Sequence, residues 1–442
     1  MNKRLSILTL LSACLSLQAQ QTWTLRQCIE HAIDHNIAIQ QGANQVEQTK
    51  VAVNTAKWAR LPNLNGNAGQ SWNWGRTQTA VKNEDTGNYS TVYVNSSSHS
   101  TSLNLNTNIP LFTGLEIPHQ YALAKLNLQA ALSDLAKAKE EMAIQVASAY
   151  LQVLFNQELH EISNQQVDLS TEQCQRIIRL ESLGKASPAE VAEAKARMAQ
   201  DEMNAVQANN NYRLALLELS QLIELPSPEG LSLQKPTEEI QSVSLIPADE
   251  IFHTALNQKA AVQAAQHRLA GSKHAIRIAQ SGYYPQLSLN GSLGTNYYST
   301  INRSFHQQMN DNFSKYVGLS LSVPLFNRLN TRNRVRTAKL QQRHYALELE
   351  QVKKTLYKEI QQAWYNAVAS ESKYRSSHSA MMANLASFEL MNEKYTQGKA
   401  AAVEYNEAKL NLLKAQSDAL QAKYDYLFRC KILDFYRGIP IN

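Results

Sequence analysis

The chain has 442 residues, 43% hydrophobic and 18% charged, with a formal net charge of +6. That balance is mild, with basic and acidic residues interspersed, and it gives no electrostatic reason for a nucleic acid partner. Glycine (15) and proline (11) are scarce, so long unbroken helices are expected.

The N-terminus, MNKRLSILTLLSACLSLQAQQ, carries Lys3 and Arg4 ahead of an apolar run from Leu5 to Leu17. This is the pattern of a secretory signal peptide, residues 1–19, with cleavage after Ala19. The alternative is a lipobox, Leu11-Ser12-Ala13-Cys14, which would make Cys14 a lipidated N-terminus. No other stretch approaches the ~18 apolar residues of a transmembrane helix.

The remainder reads as two copies of one plan. IEHAIDHNIAIQ at Ile29 aligns with IFHTALNQKAAVQ at Ile251, LPNLNGNAG at Leu61 with YPQLSLNGSLG at Tyr284, and NIPLFTG at Asn108 with SVPLFNR at Ser322. GKASPAEVAEAK at Gly184 aligns with GKAAAVEYNEAK at Gly398. The first repeat spans 20–225, with strands at about 62–74 and 101–112 and long helices at 115–183 and 187–225. A linker, 226–247, holds LPSPEG-like turn composition at its start. The second repeat spans 248–442, with strands at about 285–298 and 316–326 and helices at 327–397 and 400–437.

The strands follow from period-two alternation. Leu103, Leu105, Thr107, Ile109 and Leu111 share one face, against Ser102, Asn104, Asn106 and Asn108. Val317, Leu319, Leu321, Val323 and Leu325 oppose Gly318, Ser320 and Ser322. Strands of about 10 residues with one apolar and one small polar face suit a membrane β-barrel. Phe112 and Phe326 would mark one aromatic girdle, and Trp72, Trp74, Tyr93, Tyr297, Tyr298 and Tyr316 the other. A sheet packed on a soluble core is the alternative.

The helices rest on the absence of breakers: neither His119–Leu183 nor Asn327–Gln397 contains glycine or proline. About 65 helical residues reach roughly 100 Å. Leu128, Leu132, Leu135, Met142, Val146, Ala149 and Val153 recur at coiled-coil spacing, with Lys139 interrupting. Four strands cannot close a barrel, and open edges in hydrocarbon leave backbone amides unpaired, so several chains must combine. At the Gly184 turn, Ser187 and Pro188 give a well-formed helix start, with Glu190 in the first turn. Asn327–Lys339 holds a basic run that reads as a solvated helix face or a contact to lipid phosphates.

An enzyme is not indicated. The cysteines Cys14, Cys28, Cys174 and Cys430 form no C-x-x-C pair, and the histidines form no H-E-x-x-H. Neither Gly-Lys turn is a P-loop, since Arg179 and Glu393 stand where its first glycine would be. No cofactor or metal is expected.

Taken in order, the duplicated strand starts, the IPLF/VPLF strand ends and the two Gly-Lys-Ala turns resemble the TolC family of outer-membrane efflux channels, over nearly the whole mature chain. The resemblance implies a mainly α chain with membrane β: a homotrimer whose twelve strands form an outer-membrane β-barrel, continued by a long periplasmic α-helical barrel. It implies the outer membrane of a Gram-negative bacterium, and passive exit in a tripartite efflux or type I secretion system. The partners it implies are outer-membrane lipid, a periplasmic adaptor and an inner-membrane transporter. The adaptor-contacting tips would be Gly184, Lys185, Ala186 and Ser187 with Gly398, Lys399 and Ala400. The periplasmic gate would be Glu404 and Glu407, glutamates where the familiar pattern has aspartates. Tyr395 matches a latch tyrosine, whose arginine partner has no clear match; Lys399 lies one residue away. For Glu404 and Glu407 the simpler reading is helix-start acids favoured by the dipole. The rival function is a secreted or lipid-anchored structural coiled coil.

Overall fold

The computed structural model describes residues 22–82, 87–235 and 246–441. The signal segment and Cys14 lie outside the described residues, as does part of the linker. The elements run β1 (Thr22–Trp23), α1 (Leu25–His35), α2 (Ile37–Trp58), β2 (Asn63–Lys82), β3 (Tyr89–Phe112), α3 (Glu116–Ser182), α4 (Pro188–Leu222) and β4 (Ser232–Leu233). The second half runs α5 (Ala248–Gln258), α6 (Ala260–Ser281), β5 (Gln286–Tyr298), α7 (Phe305–Asp311), β6 (Ser314–Ser322), α8 (Asn330–Thr396) and α9 (Ala402–Tyr436). The duplication is metrical. Paired helices match at 11 residues, 22, 67 and 35 in each half, so the copies differ only in their strands and loops and in α7, which the second half alone carries among the described residues.

The helix pairs α1/α2 and α5/α6 each break without glycine or proline. At Asn36 the backbone turns to ψ 131°, and its side-chain Oδ1 accepts from the Ala38 N–H at 2.9 Å, replacing a helical bond. Lys259 turns the same way, with ψ 126°. Thr24 opens α1 with a reciprocal capping box to Gln27, which satisfies two amides the helix start would leave unpaired.

The chain divides into two compact units. One comprises Ala130–Gln266, Glu348–Asn442 and the N-terminal residues through Glu47. Its core gathers Cys28, Met142, Val146, Tyr150, Leu154, Leu219 and Ile223, among others. Along α3, Met142, Val146 and Val153 are buried as the heptad spacing predicts, but Leu132 is 46% exposed. Ala130, Ser133 and Ala147 take the buried positions beside it. The linker is structured at its start: β4 pairs in parallel with β1, and the Tyr150 hydroxyl donates to the carbonyls of Trp23 and Gln234 at 3.1 and 2.6 Å.

The other unit, Gln48–Gln129 with His267–Leu347, holds an antiparallel sheet in the order β2-β3-β5-β6. Cross-strand neighbours share a face. Leu103 and Leu105 stand beside Ala68 and Gly66 on one side and Thr295 and Leu293 on the other. The opposite face carries Asn104, Asn106 and Asn108, with Asn108 bonded to Asn290 at 2.6 Å and Ser292 to Asn106 at 2.8 Å. The apolar and polar faces therefore run continuously across all four strands.

Three details differ from the sequence expectation. The first hairpin is longer than predicted: β3 pairs with β5 only from Ser100 to Phe112, and Tyr89–His99 pairs with β2 alone. β6 stops at Ser322 rather than 326, just before Val323-Pro324, because proline has no N–H for the ladder. Its counterpart Pro110 stays in β3 where the register slips. Finally, Tyr298 and Tyr316 sit opposite Ser100 and Ser292 on the polar face, so only Trp72, Trp74, Tyr93 and Tyr297 extend the apolar one.

Candidate functional site

Both Gly-Lys turns are built alike. Gly184 and Gly398 have φ of +69° and +74°, the left-handed conformation that a side chain disfavours. At the first turn Gly184 N–H reaches Glu181 O at 2.8 Å and Lys185 N–H reaches Leu180 O at 2.8 Å. At the second, Gly398 reaches Tyr395 O at 3.1 Å and Lys399 reaches Lys394 O at 2.8 Å. This pair of bonds closes the last carbonyls of a long helix in a Schellman motif.

The restarts differ. Ser187 caps α4 in a full capping box: its hydroxyl accepts from Glu190 N at 3.2 Å, and Glu190 Oε2 accepts from Ser187 N at 2.6 Å. These bonds hold the Glu190 carboxyl below the usual range. In the second copy Ala401 has no side-chain cap, and only Glu404 Oε2 accepts, from Ala401 N at 3.0 Å. Glu404 thus caps a helix start, and both it and Glu407 are exposed.

The two turns share one recess of about 210 Å³. Lys185, Ala186, Tyr395, Gly398 and Ala400 line it, with Gln173, Arg176, Tyr405 and Lys409. Two ties cross between the copies. Arg176 of α3 donates through Nη2 to Thr396 O at 2.9 Å and Tyr395 O at 3.4 Å, with its guanidinium 5.3 Å from the Tyr395 ring centre. Tyr395 in turn stacks on Tyr405 at 4.6 Å. Lys409 of α9 pairs with Asp201 of α4 at 2.8 Å, both largely shielded. Burial pushes the Tyr405 phenol up to about 12, with Tyr395 adding to the rise.

The structure brings Tyr395 and both glycine turns together and leaves Glu404 and Glu407 exposed, outside the lining of the recess. It adds Arg176, which the sequence did not point to. The cation beside Tyr395 comes from the first copy, about 220 residues away in sequence, not from Lys399. A lone arginine among charged helix residues carries no sequence mark of such a role. Arg176 Nη1 is buried without a hydrogen-bond partner among the described residues, and Gln173 and the Tyr405 hydroxyl face each other in loose contact. The arginine donor can be satisfied by water or by a docked partner. Among the described residues, no group of three or more His, Cys, Asp or Glu side chains is placed to hold a metal ion. Among the described residues no helix is long and apolar enough to cross a membrane, which says nothing of the sheet.

The structure combines a four-stranded sheet that has one apolar and one polar face with two long helical hairpins, each ending in a glycine turn. The sequence profile of the family "Outer membrane efflux protein" matches residues 28–223 and 251–433, and the chain belongs to that family. The alkaline protease secretion protein AprF of Pseudomonas aeruginosa is 26% identical over 322 residues, 70% of this chain but 64% of AprF, less than two thirds of its length. The outer membrane protein TolC of Vibrio cholerae is 23% identical over 67% of each chain. The crystal structure of the Campylobacter jejuni CmeC outer membrane channel superposes with a TM-score of 0.78 at 18% identity, covering 94% of this chain and 85% of CmeC. The fold is that of the TolC-like outer-membrane channels, and the chain is an outer-membrane protein.

Proposed function

We propose that the chain assembles as a homotrimer into an exit duct, the outer-membrane member of a tripartite efflux or type I secretion system. The observation that carries the reading is the sheet. Its outermost strands, β2 and β6, each have one edge with no partner among the described residues. In hydrocarbon each unpaired backbone group costs several kcal/mol, so the four strands need copies of themselves to close. Three copies give twelve strands with the apolar face toward lipid and the asparagine-rich face toward water.

The duplicated turns then lie at the far ends of the helical hairpins. Lys185, Ala186 and Ser187, with Lys399 and Ala400, present the surface for a periplasmic adaptor, and the adaptor couples the duct to an inner-membrane transporter. Three copies of Glu404 and Glu407 would place six carboxylates around a narrow opening that favours cations. The name of AprF speaks of protease secretion; in this chain the transporter selects the cargo.

Single-channel recording in a planar bilayer tests this, comparing the native chain with Glu404→Ala/Glu407→Ala. A small cation-selective conductance that rises or loses selectivity in the variant is expected. An unchanged conductance would move the gate away from these residues. No conductance and no stable trimer would point to a structural coiled coil instead.

A further inference from the structure

The connection between β5 and β6 is not a simple loop. It folds into α7, opened by a capping box between Ser304 and Gln307. Gln308, 1% exposed, serves as its internal spacer. Its Nε2 donates to the carbonyls of Tyr298, Ile301 and Arg303 at 3.0–3.2 Å, and its Oε1 accepts from Tyr298 N at 3.0 Å. Thr295 Oγ1 donates to Met309 O at 2.6 Å, and Asn312 donates to Asn296 O at 2.7 Å. A buried amide bonded this completely fixes one conformation. The segment is therefore a rigid body attached to β5.

The side of the sheet on which it rests follows from register. Thr295 and Tyr297 stand beside Leu103 and Thr101, on the apolar face. The Phe305 ring lies 5.2 Å from Tyr297 on that face. Phe313 closes one end of a groove of about 430 Å³ whose walls are Gly66, Ala68, Leu103, Leu105, Leu293 and Thr295. Small residues from β2 and larger ones from β3 and β5 make the groove, and it continues the apolar band of the strands. Beside it, Lys315 pairs in register with Leu293, so it shares the apolar face. It is the first charge after Leu321, Leu319 and Val317 on that face of β6. No carboxylate among the described residues pairs with it, whereas Arg303 is neutralised by Asp311 at 2.6 Å. The free edge of the segment shows Ile301, Phe305 and Phe313, which are 43–51% exposed.

We propose that this connection is an outer-leaflet lipid clamp. It lies on the membrane surface rather than over the pore mouth, and it seats a phosphate-bearing lipid, one acyl chain in the groove beneath Phe313 and the phosphate at Lys315. The occupant follows from continuity: the groove opens on the same face that the strands present to hydrocarbon, and its unpaired cation stands at the edge of that band. An aromatic ring beside a lysine at this depth matches the interfacial anchors of membrane proteins. The inference rests on the apolar face being the lipid face, so its test carries a control for that.

Spin labels at Phe305→Cys, Phe313→Cys and Leu319→Cys, in a Cys430→Ser background, report contact with oxygen or with a water-soluble nickel chelate in phosphatidylcholine bilayers. Cys28 and Cys174 are buried and stay unlabelled. Oxygen contact at all three positions is expected. Nickel contact at 305 and 313 with oxygen contact at 319 would overturn the clamp and leave the barrel intact. Nickel contact at 319 would overturn the barrel reading and the clamp with it. Binding is measured by native mass spectrometry with dioleoylphosphatidylglycerol, dioleoylglycerol and inorganic phosphate. Lys315→Gln is expected to weaken the phospholipid about fivefold, as one interfacial cation should, and Ala68→Phe to displace it by filling the groove. Equal binding of dioleoylglycerol, equal competition by inorganic phosphate, or indifference to both substitutions would overturn the lipid assignment.

Discussion

Arg176→Gln isolates the tie between the two copies at the glycine turns. The native side chain makes a charge-assisted bond to Thr396 O at 2.9 Å and a longer one to Tyr395 O at 3.4 Å, and lies over the Tyr395 ring. Bonds involving a charged group contribute about 1.5–3 kcal/mol net, and a partly exposed cation–π contact adds about 0.5–1 kcal/mol. The substitution also relieves a cost, because Nη1 is buried without a partner among the described residues. The net loss should be about 1–2 kcal/mol, confined to the end of α8. Amide hydrogen exchange in detergent reads it. Peptides covering Gly398 and Lys399 should exchange about 5- to 30-fold faster. Peptides covering Gly184 and Lys185 should not change, since that turn has the same backbone bonds and no arginine across it. Unchanged exchange at Gly398, or equal acceleration at both turns, would refute a specific tie.

Gly184→Ala and Gly398→Ala should each cost about 1 kcal/mol, equally, because a Cβ at either position meets nothing within 4 Å and only the positive φ opposes it; exchange at the two turns checks the equality. Leu154→Ala, at a fully buried position, should lower stability by about 2–5 kcal/mol in heat denaturation. Leu132→Ala should cost little within one chain, and a comparable loss would show that another copy covers Leu132. Lys259, 7% exposed, lies 3.6 Å from Glu140 and 3.1 Å from the centre of the Phe435 ring. Lys259→Met alone should cost about 1–2 kcal/mol, reduced because the Glu140 side chain it leaves unpaired is a third exposed, and adding Glu140→Gln should restore most of it in a double-mutant cycle. His119 Nδ1 lies 3.1 Å from His274 Nδ1. Burial, then His274 and Arg277, hold the His119 imidazole below the usual 6.5, so the folded state favours the neutral ring. Its contribution is complete above pH 6.5 and is lost as pH falls below that toward the folded value. The melting temperature of the native chain should therefore fall more between pH 7.5 and 5.5 than that of His119→Gln.

What the residues reveal in advance depends on how local the cause is. Helices without breakers and strands with one leucine-rich face were legible because periodicity is written residue by residue. The glycine turns were legible because a positive φ leaves few choices of residue. The outer half of the first hairpin was not: beyond Trp74 both faces turn polar, with Arg76 and Gln78 against Thr77 and Thr79, and alternation no longer separates them. The aromatic girdle was half legible, since proximity in sequence to a strand end does not say which face Tyr298 or Tyr316 takes. Helix α7 hides in a polar stretch, and its existence rests on Gln308 being swallowed by the carbonyls around it. Arg176 needed the two copies side by side.

That last residue bears on why one chain writes the same turn twice. If the copies were equivalent, each hairpin would be held as the other is. At the offset that pairs Gly184 with Gly398, Arg176 faces Leu390, Tyr395 faces Glu181, and Asp201 faces Ala415. Only Lys409 finds its own kind, in Lys195. Neither cross-tie therefore has a mirror image. Arg176 reaches from the first copy to the end of the second copy's helix, and Lys409 reaches from the second copy to the first. The capping differs in the same sense, complete at Ser187 and half made at Ala401. The first turn is thus capped by its own residues, and the second adds to its own backbone bonds and the Tyr395–Tyr405 stack a tie from its neighbour. Breaking the Arg176 and Lys409 ties therefore removes part of the second turn's restraint and leaves the capping of the first intact. Glu404 and Glu407, the proposed gate, lie on the second hairpin, whose start Glu404 itself caps.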